Sequence, residues 1–265
     1  MTRLAPDSTE VRLFVLPATP RQTQIALAIA IALLAGVAAS APFADTPLPR
    51  NDAFIPALQS AVVLTDFITS VLLFSQAWIS HSRAFLALAS GYLFTSLTVT
   101  SHMLTFPGAF SPNGLLGAGL QTAGWLYFFW HFGLPTAIIA YACLKNEEVK
   151  DLNTSTPNPV SWSVAIVLSL VCGLTLLVTA GERFLPPVFL DRIHLAPLAR
   201  YLLAFNVLLC AVAFALLWVQ RRSVLDQWLM VVTLALISEL VVNGLLISAR
   251  QSTEGGHRQS DSERD

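Results

Sequence analysis

Three ionisable side chains sit inside otherwise apolar stretches: Asp66, His131 and Glu239. A charge in hydrocarbon is costly, so each is a candidate for binding a ligand, a proton or a cation. Asp66 lies near the middle of the second apolar stretch and Glu239 near the middle of the last. At about 1.5 Å of rise per residue the two fall at similar depth, which predicts one shared polar cavity. Asn243 follows Glu239 by one turn on the same helical face. Asn206 adds a polar group to the sixth stretch. Coupled to proton movement, Asp66 and Glu239 would serve a small transporter or permease. The plainer reading of these groups is hydrogen bonding between helices that only sets packing.

His102 and His131 invite a haem or metal reading, since imidazoles on adjacent helices ligate haem iron. Their depths argue against it. His102 lies near the end of its stretch and His131 about a dozen residues into the next, a separation of more than about 10 Å along the membrane normal. This places His102 at the interface, and no cofactor is predicted. The run Trp125-Leu126-Tyr127-Phe128-Phe129-Trp130-His131 is the densest aromatic segment. It reads as a pocket for an apolar or quinone-like ligand, or alternatively as bulky lipid-facing packing. Pro135 removes a backbone donor just beyond it and predicts a kink. The clustered His or Asp/Glu motifs of membrane-integral, metal-assisted enzymes are missing, so catalysis is not expected.

The elements that position these residues follow from composition. The chain has 265 residues, 55% hydrophobic and 12% charged, against about 25% charged in soluble domains. Mean hydropathy is +0.65. Net charge is −1, which leaves no basic footprint for nucleic acid. Cys143, Cys172 and Cys210 all lie in apolar runs and make no disulfide framework. A span needs about 20 apolar residues, and seven are read, near 24–41, 57–79, 84–106, 119–144, 160–180, 198–219 and 228–247. The expectation is an all-α, polytopic helical transmembrane bundle. A leader over residues 1–22 precedes a membrane domain over 23–248, and a disordered polar tail over 249–265 follows. Arg3, Arg12, Arg21, Arg83, Lys145, Lys150, Arg221 and Arg222 share one side of this topology, which favours a cytoplasmic amino terminus. Seven spans then leave the carboxyl terminus periplasmic. Ala39-Ser40-Ala41 also resembles a signal-peptide cleavage site. Ala28, Ala32, Gly36 and Ser40 form a small-residue stripe suited to close helix packing, within the chain or in a homodimer.

One ordered set of segments carries a resemblance. Gly91-Tyr92-Leu93-Phe94 is followed by His102-Met103-Leu104-Thr105-Phe106-Pro107-Gly108-Ala109-Phe110. Gly114 to Gln121, Trp125 to His131 and Pro135 come next. Together with Phe67–Ser70 and Leu246–Arg250 these resemble the fourth class of bacterial membrane-associated sensor (MASE) domains, from about Leu48 to Arg250. The resemblance implies an integral membrane input module in a bacterial inner membrane, of a kind usually fused to histidine kinases or GGDEF-type diguanylate cyclases. It makes Tyr92, His102, Phe106, Pro107, Gln121, Trp125, Trp130, His131 and Pro135 the place to look for an unknown small ligand. Family members typically continue past Ala249-Arg250 into a further span, whereas a polar tail follows here. The expectation is a sensor lacking its last span and output domain, either truncated or acting through a separate kinase or cyclase.

Overall fold

The computed structural model describes residues 18–40, 42, 54–146, 158–190 and 195–262, with side chains of the last helix as far as Gly244. Seven helices account for nearly all of it. They are α1 (Pro20–Ser40), α2 (Phe54–Ser80), α3 (Arg83–Thr105), α4 (Thr122–Leu144), α5 (Pro159–Thr179), α6 (Pro197–Gln220) and α7 (Val224–Ser262). Each is long and apolar enough to cross a membrane, and each falls on one of the seven stretches read from the sequence. Most of the leader, Ala41 of the cleavage motif, and Asp191 to His194 lie outside the described residues.

Local chemistry starts these helices. Pro159 and Pro197 occupy first-turn positions, where a missing N–H costs nothing. Ser82 and Asn158 cap α3 and α5 by accepting from Phe85 N and Val160 N. Thr19 and Gln22 form a reciprocal capping box ahead of α1. At α7, Asp226 N donates to Ser223 Oγ while Ser223 N donates to Asp226 Oδ2. The far end of α7 departs from expectation. The polar tail is helical backbone up to Ser262, because a turn propagates from an existing helix far more readily than it nucleates.

α3 is the most enclosed helix, packed against α2, α4 and α5. α6 and α7 pair with each other, α1 rests on α7, and α4 joins the two groups by packing on both α3 and α6. The α3–α4 seam is close because glycines face it. A Cβ on Gly91 would strike the side chain of Ala137, and one on Gly133 would strike the ring of Phe94. Gly91→Val should therefore cost about 1–3 kcal/mol, read as a lowered unfolding midpoint in detergent. Gly173→Val, where nothing lies within 4 Å of the added Cβ, should leave that midpoint unchanged.

The outer surface is lipid-like. Leu64, Leu72, Ile166, Leu170 and Leu208 all project outward. Trp78, Trp162, Trp218 and Trp228 are exposed near one end of α2, α5, α6 and α7. The alternating direction of the helices brings all four to the same face of the bundle, as an interfacial aromatic belt requires.

Candidate functional site

The site begins on one face of α4, where Tyr127, Trp130 and His131 follow at helical spacing. His131 is 3% exposed. Its Nδ1 lies 2.8 Å from the carbonyl of Tyr127. A carbonyl only accepts, so Nδ1 carries the hydrogen. Its Nε2 lies 3.3 Å from Glu239 Oε1 on α7. An imidazole donating from Nδ1 has either a lone pair or a second proton at Nε2. The contact is a hydrogen bond when either the carboxyl or Nε2 carries a proton. One turn further along α7, Asn243 Nδ2 donates to the Tyr127 hydroxyl at 2.9 Å. α4 meets α7 sparingly, and these two polar contacts join their middle turns.

The cluster continues inward through aromatic rings. Trp130 stands edge-on to His131 at 4.5 Å and stacks on His102 of α3 at 6.1 Å with an 8° tilt. His102 accepts at Nδ1 from Gln59 Nε2 of α2 at 2.9 Å and packs on Phe106. His102 lies in the last turn of α3, as expected, yet its side chain is buried rather than open at the interface, and both imidazoles lie against one indole. α4 begins at Thr122, three residues later than the stretch read from sequence, which brings His131 about 4.5 Å closer to the helix end. Among the described residues no group of three or more His, Cys, Asp or Glu is placed to hold a metal. Trp130 Nε1 and Asn206 Nδ2 are buried donors without a protein partner. Asn206 Oδ1 receives a weak contact from Cys210 Sγ at 3.9 Å.

Glu239 is not enclosed. Its side chain is 47% exposed and lines a groove of about 650 Å³ between α1 and α7. Ala32, Gly36 and Ser40 of the small-residue stripe form the opposite wall, with Ser238 and Asn243 beside Glu239. The two helices are joined lower down by Gln227 Nε2 donating to Thr23 Oγ1 at 2.9 Å. The stripe therefore faces α7 of its own chain.

Other candidates lie elsewhere. Asp66 is half-buried on α2, close enough to interact electrostatically with Tyr92 in the α3 core. α2 packs on α3 and α5, whereas α7 packs on α6, α1 and α4. The shared cavity of Asp66 and Glu239 does not form, because equal depth does not make helices neighbours and α3 and α4 stand between. Pro135 is buried within an α4 that continues through it. Its missing N–H deprives the His131 carbonyl of its usual donor. Phe106 and Pro107 line a separate cleft of about 710 Å³ with Phe189 and Leu190.

Gln121 and Trp125 hold a loop. Gln121 Oε1 accepts from Val188 N and Phe189 N at 2.8 Å each, and its Nε2 donates to the Phe189 carbonyl at 2.7 Å. Trp125 Nε1 donates to the Pro186 carbonyl at 3.2 Å. Glu182 accepts from Gln121 N at 3.0 Å. Gln121→Ala should cost about 2–3 kcal/mol, since three hydrogen bonds go and two loop N–H groups lose their acceptor. Proteolytic nicking near residue 188 should rise in parallel.

Sequence reading missed a second polar cluster at the opposite end. Asp226 is 1% exposed. Its Oδ1 accepts from Lys145 Nζ at 2.9 Å and from the Tyr141 hydroxyl at 3.0 Å. Its Oδ2 accepts from Arg222 N at 2.9 Å and Ser223 N at 3.1 Å. The signals available were Ser223 and Asp226 at capping-box spacing and Lys145 closing the fourth stretch.

A bundle in which a buried histidine of one span meets a half-exposed carboxylate of another can recognise a small ligand or carry a proton. Such chemistry suits perception at a membrane. The profile of the MASE4 family, described as a membrane-associated sensor, integral membrane domain, matches residues 49–257. That range runs from just before α2 into the last turns of α7 and leaves α1 outside. Neither a curated protein nor a solved structure matches the chain. With most of its length under the family profile, this multi-pass membrane chain belongs to the MASE4 family of integral membrane sensor domains.

Proposed function

We propose that this chain is the input module of a bacterial inner-membrane signalling system, and that its signal enters at the cluster of Tyr127, Trp130, His131, Glu239 and Asn243. The His131–Glu239 contact carries this reading, because it puts an imidazole–carboxyl pair between two helices that pack sparingly and are tied at one end. A stimulus that changes the pair changes how α4 meets α7. Pro135 lies one turn from His131, and the Asp226 cluster ties the far end of α4 to the start of α7. A shift at the site therefore bends α4 against a held end, provided the stimulus prefers one of the two packings. The Lys/Arg distribution supports a cytoplasmic amino terminus, and the output in this proposal is a histidine kinase or diguanylate cyclase reached directly or through a partner chain. The test is a chimera with a reporter kinase, joined through an added span where the topology requires one. Output should respond to His131→Ala and Trp130→Ala while membrane insertion stays normal; unchanged output in both would refute the proposal.

A further inference from the structure

The groove between α1 and α7 indicates what the site binds. It lies beside Glu239, fifteen residues past Val224, or about 22 Å along α7. Its lining is apolar over Ile29, Leu33, Val37 and Val242. It opens sideways, where α1 exposes Leu27, Ile31 and Leu34 and α7 exposes Val241, so an occupant arrives through the bilayer and must be largely apolar. Its α7 wall offers Ser238, Glu239 and Asn243, which lead on to the phenol of Tyr127 and the ring of His131. The occupant therefore has a long apolar tail and a compact head that exchanges hydrogen bonds with a carboxyl group.

Charge separates the candidates. A pair that holds one proton is neutral overall, so a fatty-acid carboxylate or a phospholipid phosphate would bring a charge that nothing in the groove balances, which is costly away from water. A neutral head that presents a carbonyl in one state and a hydroxyl in the other suits the proton held between Glu239 and His131. With the proton on Glu239 and a quinone present, the carboxyl turns its O–H from the His131 Nε2 lone pair to the ligand carbonyl. With the proton on His131 Nε2, the carboxylate accepts from a hydroxyl and stays paired with the imidazolium. The pair redistributes one proton and no electron enters the protein.

We infer that the α1–α7 groove binds a membrane-soluble isoprenoid quinone, and that the His131–Glu239 pair distinguishes quinone from quinol by where it keeps its proton. This rests on the cluster being the input site and adds the ligand class. It also gives α1, which lies outside the family match, a role as the outer wall of the ligand groove.

The probe is decylubiquinone, oxidised or as its quinol, titrated into the full chain in nanodiscs, with binding read by quenching of tryptophan fluorescence. The wild type should bind both forms saturably, with affinities differing at least fivefold. Gly36→Phe places a ring in the groove, where nothing lies within 4 Å of an added Cβ. It should fold normally and weaken both affinities at least tenfold. Glu239→Gln, which cannot give up a proton, should bring the quinone-to-quinol ratio close to one. Decanol at matched concentration, which has the apolar tail without the ring, should neither quench nor displace the quinone from the wild type. Equal quinone affinity in wild type and Gly36→Phe, or no saturable binding to the wild type, would overturn the assignment. If that occurs while His131→Ala still silences the reporter chimera, the input site stands and its stimulus is a proton or another ligand. If His131→Ala leaves the chimera unchanged, the input-site reading itself fails.

Discussion

Asp226→Ala should lower the stability of the detergent-solubilised protein by about 3–5 kcal/mol, the range for breaking one side of a buried ion pair. The carboxylate is 1% exposed, and the side chain of Lys145 is 11% exposed. Truncation leaves an ammonium with too little water and no counter-charge. It also removes acceptors from the Tyr141 hydroxyl and from two N–H groups ahead of α7. A lost cap alone is worth about 1 kcal/mol. Asp226→Asn keeps the shape and loses the charge, so it should fall between wild type and Ala. Lys145→Met leaves the carboxylate with its phenol and backbone donors and should cost less than Asp226→Ala. Denaturation in mixed micelles, followed by circular dichroism, measures all three. A loss under 1 kcal/mol in Asp226→Ala would show that water reaches this cluster and that it does not hold the base of α4 and α7.

The second large effect belongs to the His131–Glu239 pair. In the reporter chimera, His131→Ala should reduce the stimulus-dependent change in output at least tenfold, and Glu239→Gln should act in the same direction. The double variant should be no worse than the stronger single one. Two groups that share a proton act as a unit, and removing either removes the shared function. Glu239 is half-exposed toward the groove, so Glu239→Gln should leave the unfolding midpoint nearly unchanged. Asp66→Asn, on a helix away from α7, should not alter output. Additive losses at His131 and Glu239, or a loss at Asp66 equal to theirs, would contradict the arrangement of Tyr127, His131, Glu239 and Asn243 as one site.

Much of this architecture was legible in the amino acids. Spans are long apolar runs because lipid forces every backbone group to be satisfied within the helix. That is why seven stretches became seven helices and why Pro159 and Pro197 mark their starts. Singling out His131 and Glu239 followed from the same cost applied to ionisable side chains. The segments around Tyr92, His102, Trp125 and Pro135 carried the family resemblance, which the match over residues 49–257 confirms. The polar tail misled because low hydropathy reports on burial, whereas α7 continues through it as backbone helix to Ser262.

What sequence could not supply was adjacency. Depth along a span is one coordinate, and it matched Asp66 with Glu239. Neighbourhood around the bundle is the other, and packing gave Glu239 to His131 instead. Gln121 and Trp125 belong to the quoted motifs, yet their polar atoms are spent on the loop at residues 186–189. Asp226 went unnoticed at the margin of its stretch, where a carboxylate is ordinarily solvated. Apolar composition and spacing determined that the chain is a seven-helix membrane bundle, and the ordered motifs determined its sensor family. The tertiary structure decided which polar groups meet, because helix neighbours are chosen by shape, here the glycine seam of α3 and α4 and the small-residue wall of α1.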